Sequence, residues 1–266
     1  MGRLENGKWI DQWHNTKETK GRYVRKPSIY RNWITKDGAA GPSGKDGFKA
    51  EKDRYHLYVS WACPWAHRTL IFRAIKGLED IISISVVNAI MRSHGWTFDD
   101  GQGVIADSVN NKKYLYEVYL KEDQNYSGRV TVPLLWDKKT STIVNNESAD
   151  IIRMFNSEFD DIGANPGNYY PEAKRTAIDD MNDYIYQNIN NGVYRSGFAT
   201  TQEAYNEAIE TLFLGLDKLD GILSHQKYLI GDEITESDCR LLPTLVRFDR
   251  VYHGHFKCNK KKIKEY

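Results

Sequence analysis

A cysteine followed directly by a proline stands where a short apolar strand gives way to a helical segment. The strand pattern YHLYVSW starts at Tyr55, and the segment PWAHRTLIFRAIKGL behind Cys63 has helical spacing and is closed by Gly77. Proline is tolerated in the first turn of a helix, because the N–H that it lacks has no acceptor within the helix. The pattern predicts a strand-to-helix junction at Cys63-Pro64, and this junction constrains the fold more than any other feature of the chain.

The segments that follow the junction continue to alternate between strands and helices. IISISVV is a strand pattern rich in β-branched residues, KYLYEVYLKE a helix, VPLLWD and STIVN two strands around a turn at 137–140, and NESADIIRMFN a helix. The order strand, helix, strand, helix, strand, strand, helix is that of a thioredoxin-like α/β fold. Beyond Asn156 strands become rare. Helical periodicity then predicts an all-α C-terminal domain with helices over 172–190, 201–224 and 236–249.

The chain is therefore predicted to have three parts. Residues 1–54 are polar and rich in turn-forming residues, which predicts an extended, loop-rich N-terminal lead-in. Residues 55–156 are expected to form the thioredoxin-like domain, and residues 170–266 the α-helical domain. The aromatic residues of the lead-in are possible anchoring points, namely Trp9, Trp13, Tyr30 and Trp33.

Charge and cysteine content exclude several classes of protein. With 37 basic and 36 acidic residues the net charge is +1, which offers no electrostatic attraction to nucleic acid or an anionic membrane, so we expect neither as a partner. No apolar run approaches the roughly 20 residues that a membrane-spanning helix needs, and the N-terminal residues lack the apolar core of a secretion signal. Three cysteines cannot form a disulfide framework. We therefore expect a reducing compartment, the cytoplasm.

Cys63 is the candidate nucleophile. At a helix start it faces N–H groups that have no partner within the helix, and the positive end of the helix dipole, and both favour the thiolate. A free cysteine is more often a buried structural residue, but the junction followed by proline favours a reactive one. Position 66 is alanine where a second cysteine of a C-x-x-C motif would stand. Because no neighbouring thiol can resolve a mixed disulfide at Cys63, a small external thiol has to do so, and we expect glutathione.

Motifs along nearly the whole chain carry a family resemblance. They are YHLYVSWACPWAHRTLIFRAIKGLE, HGWTF, GRVTVPLLWD, NNESADIIRMFN, VYRSGFATTQEAY and VRFDRVYHGHFKCN, with RNWITKDG and GFKAE in the lead-in. In these motifs the chain closely resembles the glutathionyl-hydroquinone reductases, the Xi class of glutathione transferases, which is related to the Omega class. The resemblance implies a glutathione transferase fold, a homodimer without a metal, and a glutathione-dependent reaction. In that reaction a glutathionyl-hydroquinone and glutathione give hydroquinone and oxidised glutathione.

The resemblance also implies how glutathione is used and held. Cys63 would attack the sulfur of the conjugate, expel the hydroquinone and remain as a mixed disulfide with glutathione. Val132 and Pro133, joined by a cis bond, would present backbone groups to the cysteinyl part of glutathione. Glu147 and Ser148, at the start of a helix, would hold its γ-glutamyl end, because unpaired N–H groups suit a carboxylate and the glutamate suits an ammonium.

Four further residues acquire roles in the same way. Arg129 and Trp96 would contact the rest of the glutathione peptide, and Tyr194 and Tyr252 would donate hydrogen bonds to the quinol. Considered without the resemblance, Trp96 and the two tyrosines are equally well explained as core aromatics, and Arg129 as a solvated surface charge. Glu147 would then only stabilise its helix through the dipole.

A cluster near the C-terminus has a spacing that a zinc site can use. It consists of His253, His255 and Cys258. A structural zinc site needs four ligands, and no second Cys/His pair lies nearby, so we predict no metal here. Cys239 lies in a helical segment and is expected to serve packing.

Two alternative functions remain open. One is an Omega-type thiol transferase that acts on small disulfides or dehydroascorbate. The other is a glutathione-binding protein of the same fold with reduced turnover, because family members continue past the position of Tyr266 through a helical segment with a third pocket tyrosine. By that resemblance the helical domain is expected to be C-terminally shortened. The motifs Val193-Tyr194-Arg195 and Tyr252-His253-Gly254 favour the reductase over the Omega-type enzyme.

Overall fold

The computed structural model describes residues 2–42 and 47–266, and residues 43–46 of the predicted lead-in lie outside the described part. The chain divides into two units. The first unit comprises Met1–Trp13 and Pro27–Asn168, and the second comprises His14–Lys26 and Tyr169–Tyr266. The predicted lead-in therefore contributes a segment to each unit, a division that its polar composition does not reveal. The boundaries expected at 55–156 and 170–266 stay predictions.

The first unit contains the strands of the described residues. In chain order they are β1 (Arg3–Glu5), β2 (Lys8–Ile10), β3 (Trp33–Thr35), β4 (Gly47–Lys49), β5 (Tyr55–Val59), β6 (Ser83–Val86), β7 (Gly128–Arg129), β8 (Leu134–Asp137) and β9 (Thr142–Asn145). The main sheet has the order β6-β5-β8-β9, with β5 and β6 parallel and the other pairs antiparallel. This is the arrangement that the alternating segments predict, and the thioredoxin-like fold is confirmed.

Most of the remaining regular structure consists of α-helices. In chain order they are α1 (Pro64–Ile75), α2 (Leu115–Glu122), α3 (Ser148–Ser157), α4 (Arg175–Ile185), α5 (Gly192–Gly197), α6 (Gln202–Leu223), α7 (Glu236–Arg247) and α8 (His253–His255). The first three belong to the first unit, where α1 packs on α3. The other five build the second unit, and the all-α C-terminal domain is confirmed. Within the described ranges no helix combines the length and the apolarity that crossing a membrane requires.

Strand β5 is the centre of the first unit. All five of its residues are buried, because the strand lies between β6 and β8 in the sheet and both of its faces are covered. A strand that is buried on both faces shows no strict alternation of apolar and polar residues. Helix α1 begins directly behind it at Pro64. After Ile75 the chain passes through Lys76 and then Gly77, which has φ +61°. A left-handed residue after a helix is a common helix stop, and glycine adopts this conformation without steric cost.

The second unit has its own apolar core. Helix α6 packs on α5, and α7 begins with a capping box in which the Asp238 carboxylate accepts from the Thr235 N–H at 2.8 Å. Two π-helical turns were not predicted from the sequence; they cover Tyr186–Asn190 and Phe248–Tyr252. Helical periodicity averaged over a long segment does not distinguish a single π turn from α-helix, although such turns often occur at functional sites.

The lead-in is more ordered than a loop-rich segment. β1 pairs antiparallel with β2 and with β7, and β3 pairs parallel with β4. Strands of three residues are too short to produce a periodic pattern, so the sequence predicted only an extended chain. Several of the proposed aromatic anchors do pack: the Trp9 ring stacks on Tyr116 at 4.9 Å, the Tyr30 ring on Tyr126 at 5.8 Å, and Trp33 is buried.

Candidate active site

Cys63 occupies the N-cap position of α1. Its backbone is extended, Pro64 is the first helical residue, and the carbonyl of Cys63 accepts the N–H of His67 at 3.0 Å. The thiol is partly exposed and lies 3.5 Å from the carbonyl oxygen of Val132. The predicted junction is thus present, and the sulfur lies at the positive end of a helix of three turns, which favours the thiolate.

The peptide bond between Val132 and Pro133 is cis, as predicted. It lies directly before β8, the strand that pairs with β5. Because α1 starts at the end of β5, the fold brings the start of α1 and the segment before β8 to the same end of the sheet. Two residues that are 69 positions apart in the chain, Cys63 and Val132, therefore meet.

The other two cysteines lie in a different environment. Cys239 and Cys258 are 2% and 0% exposed. Burial, with a smaller contribution from nearby acidic side chains, raises the pKa of Cys239 to about 12. Burial also raises the pKa of Cys258 to about 12. Both sulfurs are therefore thiols near neutral pH and poor nucleophiles, and Cys63 is the reactive candidate among the three.

Glu147 and Ser148 lie at the start of α3. The Glu147 carboxylate caps the helix by accepting the Ala149 N–H at 3.1 Å, and its second oxygen accepts the hydroxyl of Ser28 at 3.0 Å. Ser148 is 2% exposed and is the first helical residue. The helix-start position that the sequence predicts for both residues is present. Ser28, from the lead-in, was not identified from the sequence, because it belongs to no motif there that indicates a contact with Glu147.

Arg129 and Trp96 lie in different segments of the first unit. Arg129 ends β7, and its guanidinium donates to the carbonyl oxygens of Gly2 at 3.2 Å and Gln12 at 3.1 Å. Trp96 is partly buried in the segment between β6 and α2, and its carbonyl accepts the Leu115 N–H at 3.0 Å. Arg129 is therefore held by the chain itself and is more than a solvated surface charge.

Tyr194 and Tyr252 belong to the second unit. Tyr194 lies on α5 and Tyr252 at the end of a π turn, and their ring centroids are 6.2 Å apart. Phe256 packs edge-on against both rings, at 5.6 and 5.0 Å. Tyr252 is 2% exposed. The structure thus brings the two predicted quinol tyrosines together within an aromatic cluster.

A residue next to this cluster was missed by the sequence reasoning. The guanidinium of Arg25 lies 4.8 Å from the centroid of the Tyr194 ring, and its Nε donates to Asn191 Oδ1 at 2.8 Å. Asn191 precedes Tyr194 by three residues, so Arg25 contacts two residues of the same helical turn at the start of α5. The aromatic residues of the lead-in were the one sequence feature that predicted packing of this segment. An arginine among polar residues does not predict a packed position.

The residues whose spacing a zinc site could use, His253, His255 and Cys258, belong to no metal-binding cluster in the part of the chain that the structure describes. Across 2–42 and 47–266 no group of three or more histidine, cysteine or acidic side chains is arranged to hold a metal ion. Cys258 is fully buried, whereas His255 is exposed. The two side chains therefore face different environments.

A thioredoxin-like unit with a single-cysteine helix start, followed in the chain by an all-helical unit, defines a glutathione transferase. The family model described as "Glutathione S-transferase, N-terminal domain" matches residues 62–158. The model described as "Glutathione S-transferase, C-terminal domain" matches residues 202–265. Both matched ranges contain residues that the sequence singled out, Cys63 in the first and Tyr252 in the second.

Comparisons with individual proteins narrow the class. The chain is 58% identical over 267 residues to glutathionyl-hydroquinone reductase YqjG of Escherichia coli K12, covering 100% of this chain and 81% of the relative. It is 55% identical over 266 residues to glutathionyl-hydroquinone reductase PcpF of Sphingobium chlorophenolicum, covering 100% and 82%. The protein therefore belongs to the glutathionyl-hydroquinone reductases, the Xi class of glutathione transferases.

Solved structures agree with this assignment. The glutathione-bound structure of Escherichia coli YqjG superposes with a TM-score of 0.87 at 60% identity, over 89% of this chain and 78% of that one. The Xi-class transferase of Natrialba magadii superposes with a TM-score of 0.89 at 45% identity, over 100% of this chain and 79% of that one.

Proposed function

We propose that the protein reduces S-glutathionyl-hydroquinones to hydroquinones, with glutathione as co-substrate and a Cys63–glutathione mixed disulfide as intermediate. The observation that carries the proposal is the position of the Cys63 thiol, at the start of α1 and 3.5 Å from the carbonyl oxygen of Val132. Alanine at position 66 leaves this cysteine without a vicinal thiol. A lone thiolate in this setting suits attack on a glutathione sulfur.

The first half-reaction transfers glutathione to the enzyme. The Cys63 thiolate attacks the sulfur of the conjugate, so that an S–S bond forms while the bond between sulfur and the ring carbon breaks. An aryl carbanion is a poor leaving group. The ring carbon that bears the sulfur therefore has to be protonated before the carbon–sulfur bond breaks, as it is in the keto tautomer of the conjugate. The electron pair of the broken bond then ends on the quinol oxygen. Tyr194 and Tyr252 are proposed to donate hydrogen bonds to that oxygen, which gains negative charge.

The second half-reaction restores the enzyme. A glutathione thiolate attacks the glutathione sulfur of the mixed disulfide, oxidised glutathione leaves, and Cys63 departs as a thiolate. The helix start stabilises the negative sulfur in both half-reactions, since it is the nucleophile in the first and the leaving group in the second. One hydroquinone and one oxidised glutathione form for each conjugate and each glutathione consumed.

The contacts proposed for glutathione follow from the same unit. The backbone of Val132, before the cis proline, would pair with the cysteinyl part of the peptide. Glu147 would attract the ammonium of the γ-glutamyl end, and the N–H groups at the start of α3 its carboxylate. Arg129 would contact the rest of the peptide through its guanidinium, whose planar fork of donors suits a carboxylate. Trp96 would pack on the peptide.

We also propose a cytoplasmic homodimer. A chain that carries one partly exposed and two buried cysteines, all of them free, suits a reducing compartment. The dimer rests on the family resemblance, and light scattering behind size-exclusion chromatography tests it, with a mass near that of one chain arguing against it.

Turnover of a defined conjugate tests the function. The purified protein is incubated with a glutathionyl-hydroquinone and glutathione, and hydroquinone and oxidised glutathione are quantified by chromatography. We expect equal amounts of both products. Dehydroascorbate and a small glutathionyl disulfide are assayed in parallel. Turnover of these two without turnover of the conjugate would assign the protein to the Omega-type activity instead.

A further inference from the structure

The N-terminal hairpin, residues 2–13, is built onto the strand that carries Arg129. β1 pairs antiparallel with β7, with Arg3 opposite Arg129, and β2 pairs with β1 on the other side. The turn between β1 and β2 is also hydrogen-bonded to the rest of the unit, since the Gly7 N–H donates to the Tyr126 carbonyl at 3.1 Å. Leu4, at the middle of β1, is fully buried. The hairpin is therefore an integral part of the first unit.

Main-chain carbonyls from both ends of the hairpin surround the Arg129 guanidinium. Nη1 donates to Gly2 at 3.2 Å and to Gln12 at 3.1 Å, and Nη2 donates to Trp13 at 3.4 Å. The guanidinium is a rigid planar fork, so contacts on both terminal nitrogens define the orientation of its plane. These three contacts therefore orient the positively charged guanidinium.

The Trp9 side chain, on β2, holds a different segment. Its Nε1 donates to the Ser93 carbonyl at 2.7 Å, and its ring stacks on Tyr116 at 4.9 Å with an angle of 18°. Gly95 has φ +66°, and a Cβ at that position would lie 2.7 Å from the Trp9 ring. The ring thus lies directly against the backbone of the residue before Trp96. Only glycine allows both this conformation and this approach.

We propose that the hairpin is a positioning element for glutathione, with Trp9 as its key residue: it sets the loop that carries Trp96 and the guanidinium of Arg129 in the orientation that binds the peptide. The inference rests on the proposed function, in which both residues contact glutathione. A side chain that is ordered in advance loses less conformational entropy when the ligand binds. One segment thereby prepares two ligand contacts that are 33 positions apart in the chain.

The test separates glutathione binding from the reactivity of Cys63. In Trp9→Ala, the dissociation constant of glutathione measured by calorimetry and the KM for glutathione are both expected to rise about tenfold, the cost of ordering one or two side chains on binding. The rate at which iodoacetamide alkylates Cys63 in the absence of glutathione is expected to stay at the wild-type value. Lys8→Ala alters an exposed side chain of the same strand and is expected to change neither quantity.

A second variant at position 9 makes the test decisive even if the alanine variant does not fold. Trp9→Phe retains an aromatic ring for stacking but loses the donor to Ser93, and we expect an intermediate dissociation constant with an unchanged circular dichroism spectrum. If Trp9→Ala does not fold, the phenylalanine variant decides alone. Wild-type affinity for glutathione in the folded variants of Trp9 would overturn the inference. A loss of the Cys63 alkylation rate in parallel with the loss of affinity would overturn it as well. Absence of glutathione binding to the wild-type protein would instead overturn the proposed function.

Discussion

The Cys63 sulfur lies 3.5 Å from the carbonyl oxygen of Val132. Val132 precedes a cis peptide bond and lies directly before strand β8. Backbone groups beside a strand end are free to pair with an extended peptide, in the way that a strand is added to a sheet. A glutathione whose sulfur is bonded to Cys63 would have its own backbone next to Val132. In the proposed mechanism, this short distance would link the nucleophile to the recognition of its substrate.

Replacement of Cys63 by serine is expected to lower reductase turnover roughly 10⁴-fold or more, the scale observed when a catalytic nucleophile is removed. The fold should be retained. The matched controls Cys239→Ser and Cys258→Ser remove thiols whose pKa burial raises to about 12, and folded forms should keep wild-type turnover. Steady-state kinetics with a glutathionyl-hydroquinone checks all three variants. Substantial turnover in Cys63→Ser would refute the nucleophile.

Alanine at position 66 leads to a prediction about the intermediate. When the protein is treated with a glutathionyl-hydroquinone and no free glutathione, Cys63 should retain one glutathione, because no vicinal thiol can displace it. Intact-mass measurement should show a single adduct that disappears when glutathione is added. A disulfide between Cys63 and Cys239 or Cys258 in the same sample would contradict the monothiol mechanism.

Arg25 is expected to matter for the quinol step. Arg25→Met removes the cation from the face of Tyr194, and kcat/KM for the conjugate should fall about three- to tenfold, the range of a partly buried cation–π contact. The affinity for glutathione should be unaffected. Arg22→Met is the matched control, since this arginine of the same segment pairs with Glu203 and Glu207 at the surface. It should change kcat/KM less than about twofold, and equal losses in both variants would show that the cation over Tyr194 has no special role.

His56 makes stability depend on pH. It is fully buried on β5, with Nδ1 2.7 Å from Ser83 Oγ and Nε2 2.9 Å from Ser85 Oγ. Ser85 donates its hydroxyl hydrogen to the Ala106 carbonyl at 2.8 Å, so it accepts from Nε2–H, and Nδ1 accepts from Ser83. A neutral imidazole is thus fully hydrogen-bonded, and burial lowers the pKa of His56 from 6.5 to about 4.

The consequence is a loss of stability in mild acid. Because the pKa is lower in the folded than in the unfolded chain, the stabilisation is complete above pH 6.5 and is lost as the pH falls toward 4. The free energy of unfolding should drop by about 3 kcal/mol over this interval through His56. Urea titrations of His56→Gln should show a flatter pH dependence, and His255→Gln, at an exposed position, should retain the wild-type slope. An unchanged slope in His56→Gln would exclude this origin.

The local signals of the sequence were sufficient wherever an element is defined by its own residues. The start of α1 at Pro64 depends on a proline in the first turn, and the start of α3 on the cap supplied by Glu147. Both are interactions between residues a few positions apart, so they are visible in the sequence. The lead-in differs. The strands β1 to β4 have three residues each, and β1 pairs with a strand more than 120 positions away, so no short window of sequence contains the pairing.

The sequence by itself determined which cysteine stands at a helix start without a second thiol nearby, and these two local features predict that Cys63 is the reactive one. Only the tertiary structure decided what surrounds that cysteine. It placed the carbonyl of Val132 beside the sulfur, Arg25 over Tyr194, and the Trp9 ring against Gly95. Each of these contacts joins segments that are distant in the chain. Their energies come from burial and close packing, which exist only once the whole unit has folded.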